Sequence, residues 1–219
     1  MRATNNHTPL NLIDNSIFEL RDGFTGQKIL NLKNTQPLKY AALVQNSDLD
    51  LQVNTTQDHS HLELFLLTPI RDNHPSKINV QLNLLHSHCK LDLTIVALVN
   101  ANAKSHASAT IYMEPGIQQS SSTLLEETII LGNQVNVRNL PILDIQANNI
   151  AAAHGAKIYR LDEQKLFYLQ SKGLSALAAR QLLISSYPER LFEGTLEDQE
   201  AKSKLISDFL TFETKTADA

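Results

Sequence analysis

The chain has one cysteine, Cys89, so no internal disulfide staples it. Glycine is missing where tight hairpins would need it: none lies between Gly26 and Gly116. Two-residue hairpins usually draw on glycine at positive φ. Asn, Asp, Ser and His fill the gaps instead, as in Asp72-Asn-His-Pro and Asn100-Ala-Asn-Ala-Lys-Ser. That favours longer corners over a hairpin meander. No apolar run is long enough to span a membrane. Met1 to Pro9 is polar and lacks the apolar stretch of a secretion signal, so a cytoplasmic location is expected. Positive charge is not in excess; a net charge of -4 argues against a general nucleic-acid surface. There is no Gly-x-x-x-x-Gly-Lys-Ser/Thr loop, so the chain is not a P-loop ATPase by itself. The absence of Gly-x-Gly-x-x-Gly removes a dinucleotide site, and no nucleophile elbow is present.

What remains is a chain of 219 residues, 42% hydrophobic and 19% charged, enough for one domain with a sizeable core. Up to about residue 158 it reads as short alternating runs. In Ile78-Asn-Val-Gln-Leu-Asn-Leu, period-two alternation puts Ile78, Val80, Leu82 and Leu84 on one face. Similar runs recur roughly every 13–18 residues, without a strict repeat. A parallel β-helix with variable corners and an antiparallel sandwich both fit this pattern.

After residue 158 the period becomes helical. Asp162 is a candidate N-cap, with Leu166, Phe167 and Leu169 on an apolar face. Gly173 stands where a helix C-terminal glycine belongs. Ser175 caps a second expected helix bearing Leu177, Ala178, Leu182 and Leu183 and ending near Pro188. A third is expected over 196–209. Seven of the twelve aromatics lie between Tyr159 and Phe212, so this tail has its own small core or a binding face. The division expected is therefore a β core over 1–158, its first 40 residues unassigned, and a helical domain over 159–219.

The run Pro141-Ile-Leu-Asp-Ile, then Ala153-His-Gly-Ala, then Leu166-Phe-Tyr-Leu-Gln-Ser-Lys-Gly resembles the C-terminal signature of the SufB/SufD family of iron–sulfur cluster assembly scaffolds. There a Pro-x-Leu-Glu-Ile strand leads to Ser-His-Gly-Ala and then to Leu-Phe-Tyr-Leu-x-Ser-Arg-Gly. The likeness is read from about Ile78 to Phe192. It implies a mainly β protein: a right-handed parallel β-helix core with a C-terminal α-helical segment. The place of the SufB-type scaffold cysteine is taken to be near Val135, where no cysteine stands, and Gly155 follows His154 as in the SufD type. The resemblance thus implies a non-catalytic SufD-like scaffold, part of a SufBCD complex. It would bind a SufC-type ATPase and pair with a SufB-type subunit or with itself. His154 is the implied cluster or metal residue. The cluster would sit transiently at a subunit interface, with no cofactor bound by the isolated chain. The helical tail is the implied ATPase-docking region, through Phe167, Leu169, Leu182 and Leu183. An open β-helix end near Val135–Ile150 would favour a dimer.

Two other readings stand beside this one. The chain is a β-helix interaction module without cluster chemistry, or a metalloprotein built on His59, His61, His86 and His88. In a strand, residues i and i+2 share a face, which would let each histidine pair chelate. Corner histidines at the solvent edge are the plainer account. Asp144 and Asp162 read as structural, the second as a cap.

Overall fold

The computed structural model describes residues 10–13, 16–22, 25–45, 47–71 and 75–192, with Ser203 and Ser207 beyond them. The strands are β1 (Leu10–Ile13), β2 (Ser16–Asp22), β3 (Thr25–Leu32), β4 (Leu38–Gln45), β5 (Asp48–Thr55) and β6 (His61–Ile70). They continue with β7 (Ser76–Leu84), β8 (Lys90–Val99), β9 (Lys104–Met113), β10 (Gln118–Ile130), β11 (Asn136–Ile145) and β12 (Asn149–Arg160). Helices α1 (Glu163–Ser171) and α2 (Ala176–Phe192) follow. The expected helix at 196–209 lies outside the described residues, except that Ser203 and Ser207 are helical.

From β2 onward, successive strands alternate between two sheets. One has the order β1-β2-β4-β6-β8-β10-β12, the other β11-β9-β7-β5-β3. Every pairing is parallel except β1 with β2. The chain therefore winds as a parallel β-solenoid, and the antiparallel sandwich is excluded. Each turn spends two strands, which is why the apolar runs recur at half the turn length.

Stacking puts like on like. Ala42, Leu66 and Ile95 lie level on β4, β6 and β8, and all three are buried. Across the interior, Ile78, Val80, Leu82 and Leu84 of β7 are buried as their alternation demands. Together they form one continuous apolar core. Outside, Asn31, Asn54 and Asn83 form an amide ladder, with hydrogen bonds of 2.9 and 2.7 Å between turns.

The larger sheet is also covered on its outer face. Ala41, Leu43, Leu67, Val96, Leu98 and Ile129 meet Ile184 of α2, with Leu183 and Tyr187 packed alongside. A strand buried on both faces reads as a continuous apolar run, as Ile95 to Val99 does. Helix α2 runs four residues past Pro188, where a stop was expected. Proline removes one helical N–H. Here contacts with the sheet hold the helix on both sides of it: Tyr187 before, and Arg190 after, whose guanidinium lies 5.5 Å from the Phe65 ring centre.

The scarcity of glycine is resolved at the corners. His59, His88, Asn102, Gln119 and Gln134 all take positive φ, between 51° and 62°. Asn and His tolerate this region better than most side chains. One corner does need glycine: a Cβ on Gly132 would lie 2.3 Å from the Ala101 nitrogen.

Candidate functional site at the open end of the solenoid

Among the described residues, no further strand follows at the C-terminal end of the solenoid. β12 is the last strand of the larger sheet and β11 the last of the smaller. The expected open end near Val135–Ile150 is thus formed by these two edge strands. The alternation of β10 buries Ser120, Ser122, Leu124, Glu126 and Thr128. Level with them on β12 stand Ile150, Ala152, His154, Ala156 and Ile158. Paired residues in a parallel ladder point to the same side. His154 therefore faces the interior at the mouth, above Leu124, and is exposed because no further turn of the described residues lies over it. Gly155 beside it has open space: a Cβ there would meet only the Leu125 side chain, at 3.8 Å.

Glu126 is the anomaly of this interior. It is 0% exposed, and neither carboxylate oxygen has a hydrogen-bond partner among the described residues. Burial pushes its pKa up to about 7; the backbone of Leu140 and Ala109 pulls the other way without reaching hydrogen-bond geometry. Two residues along the same face, Thr128 donates its hydroxyl to Asn139 Oδ1 at 3.1 Å, and Asn139 Nδ2 is left without a partner. The residue reading missed Glu126. Its signal was parity: in Leu124-Leu-Glu-Glu-Thr128, one of two adjacent glutamates must share the inward face of Leu124.

Glu127, the other glutamate, faces α2. It accepts a hydrogen bond from the Tyr159 hydroxyl and lies 3.7 Å from the Arg190 guanidinium. Burial, then the contacts with Glu127 and Tyr187, raise the Tyr159 pKa above its ordinary value. Arg180 adds a bond to the Leu131 carbonyl. These ties anchor α2 to the last two strands of its sheet.

The helix termini are as expected. Asp162 accepts from the backbone of Gln164 and Lys165, at 2.9 and 3.1 Å. Gly173, at φ +96°, closes α1 with bonds from Gly173 N to Gln170 O and from Leu174 N to Leu169 O. Ser175 Oγ accepts from Ala178 N at 3.1 Å. The four expected docking residues split by face. Phe167 and Leu182 are 75% and 51% exposed, and Tyr168 and Leu177 extend the same exposed apolar set. Leu169 is half-buried, while Leu183 packs on the sheet.

The histidine pairs are arranged otherwise than a strand would arrange them. His59, His86 and His88 lie in corners, so i and i+2 do not share a strand face. His59 and His88 occupy the same corner of successive turns and stack, ring centres 4.7 Å apart and planes 9° from parallel. His86 Nδ1 lies 3.1 Å from the Thr55 carbonyl, and His61 Nε2 is buried without a partner. Cys89 Sγ contacts the carbonyls of Gln57 and Ser87, and burial raises its pKa. Among the described residues, no three His, Cys, Asp or Glu side chains are grouped to hold a metal. Asp144 is exposed on the outer face of β11.

Among the described residues, the molecule is a parallel solenoid with two edge strands, β11 and β12, at its C-terminal end and helices after them that carry exposed apolar side chains. The family model described as "SUF system FeS cluster assembly, SufBD core domain" matches residues 40–187. The chain belongs to this family, and the likeness begins well before Ile78, where the motifs alone had placed it. An iron–sulfur cluster assembly SufBD family protein of Synechocystis is 27% identical over 150 residues, 68% of this chain and 32% of that protein. The iron–sulfur cluster assembly protein SufD of Escherichia coli is 27% identical over 89 residues, 41% of this chain and 21% of that protein. Protein ABCI7, chloroplastic, of Arabidopsis thaliana is 36% identical over 76 residues, 35% of this chain and 16% of that protein. The chain thus spans about a third or less of each of these relatives. Among the described residues, no helix is long and apolar enough to cross a membrane.

Proposed function

We propose that this chain is a non-catalytic, SufD-like scaffold in iron–sulfur cluster assembly, with the cluster as cargo. The observation that carries the reading is His154 facing inward on the last, uncovered strand of a SufBD-core solenoid. A SufB-type subunit, or a second copy, covers the open end by pairing with the bare edge of β12. A SufC-type ATPase docks on the exposed apolar set of Phe167 and Leu182, the inner sides of α1 and α2 being committed to the solenoid. Imidazole nitrogen is a ligand for iron when neutral. The test is to co-express the chain with a SufB-type subunit and a SufC-type ATPase, then assay iron and sulfide in the complex. His154→Ala is expected to leave the complex assembled and lower its cluster content. Normal cluster content in an assembled His154→Ala complex would remove His154 from the chemistry. Absence of any complex would overturn the scaffold reading.

A further inference from the structure

The interior of the solenoid changes character once along its length. At one level of the ladder the inward residues are Ala42, Leu66, Ile95, Glu126 and Ala156. Two residues earlier they are Tyr40, Leu64, Leu93, Leu124 and His154. The carboxylate enters only in the last full turn, and the imidazole only at the uncovered half-turn above it. An unpaired carboxylate in an apolar interior costs several kcal/mol, so a protein keeps one only where something offsets it.

The surroundings of Glu126 point to what that is. On one side lies Ile95; on the other lies Ala156, a small side chain on the last described strand. His154 stands one diagonal step away on β12, about 8 Å between Cα atoms from the strand spacing and rise, and on the same inward side of the ladder. Thr128 and Asn139 lie one step farther along the same face, on the side of Glu126 away from His154. Carboxylate and imidazole form a mixed N/O pair, which suits borderline divalent ions such as Fe(II), Mn(II), Co(II) and Zn(II). A hard alkaline-earth cage would need more carboxylates.

We infer that Glu126 is a metal ligand inside the last turn, which with His154 at the mouth holds one divalent transition-metal ion. Water, or a group from whatever covers the open end, completes its coordination. The geometry stands on this chain alone; that the ion in the cell is ferrous iron rests on the function proposed above.

Cobalt(II) and anaerobic iron(II) are the probes, titrated into the purified chain and followed by calorimetry and, for cobalt, by absorption. Saturable binding of one ion per chain is expected. Glu126→Gln should weaken it about tenfold or more, and His154→Ala should also weaken it. Because Glu126→Gln removes a buried charge, it does not threaten folding, and its melting temperature should no longer rise with added metal. Binding that is absent up to millimolar metal, or unchanged in Glu126→Gln, overturns the inference. Since no partner takes part, a complex that builds clusters while this chain binds no ion would sink the site and leave the scaffold reading standing.

Discussion

The turns built from β4 to β9 and the turn built from β10 to β12 share one backbone plan and differ in what they enclose. The earlier turns fill their interior with Leu64, Leu66, Leu93 and Ile95, each at most 3% exposed. The last encloses Ser122, Glu126 and Thr128 and ends on an edge strand that no further described strand covers. Hydrogen-bonded stacking is the same in both, so the ladder itself tolerates either filling. Stability resides in the first region, and the second is free to carry polar groups because its neighbours hold the coil together.

The harshest way to break this contrast is to move the carboxylate one turn deeper. Leu66→Glu should destabilise the chain by roughly 4 kcal/mol or more, because Leu66 has apolar neighbours on both sides and no route to the mouth. Urea unfolding measures it; a loss under 1 kcal/mol would mean that the two interiors are not distinct.

A smaller effect of opposite sign is expected at the native position. The Glu126 pKa is raised in the folded chain, from 4.5 to about 7, so the folded state holds this proton more tightly than the unfolded state. Stability is then greatest below pH 4.5 and declines as pH rises through 7. Glu126→Gln lacks that decline. It should be more stable than the native chain by about 2 kcal/mol at pH 8, allowing for screening at the mouth, with the gap closing toward pH 4. Parallel pH profiles of the two proteins would show that Glu126 is not held in a desolvated site.

The smallest change in stability belongs to the outer helical face. Leu182→Asp should shift folding by no more than about 0.5 kcal/mol, since the side chain is 51% exposed. It should nevertheless abolish ATPase docking in a pull-down. Leu183→Asp would confound that assay, because Leu183 is part of the packing of α2 on the sheet. A folded Leu182→Asp chain that still binds the ATPase would move the docking surface elsewhere.

Much of this was written locally. Alternation in β7, the Asp162 cap, the glycine stop of α1 and the Ser175 cap each depend on a few neighbouring residues, and each is found where those residues put it. The parallel arrangement was not written locally: alternation sets which face is buried but not which strand lies alongside, and the family motifs made that choice. The corner reading of His59, His86 and His88 is where the structure puts them, although a corner at positive φ and a strand share the same short spacing. Their true relation, His59 over His88, joins residues a full turn apart. The continuation of α2 past Pro188 depends on the sheet beneath it, which no local pattern records. Parity could mark Glu126 as inward-facing, but that it is left unpaired was not legible, for a similar reason. Its lack of partners depends on Ile95, Ala156 and the β9 and β11 backbones, all distant in the chain.

Glu126 and Glu127 stand on one strand with opposite outlooks, the first into the coil, the second onto Tyr159 and Arg190. A single peptide step, about 3.8 Å, separates them. The strand is fixed in its ladder on both sides, so it behaves as a stiff bar and not as a hinge. The Arg190–Glu127 ion pair therefore ties α2 to the same stretch of backbone that carries Glu126, with no intervening loop. The flank of the solenoid and its mouth are two ends of one short lever.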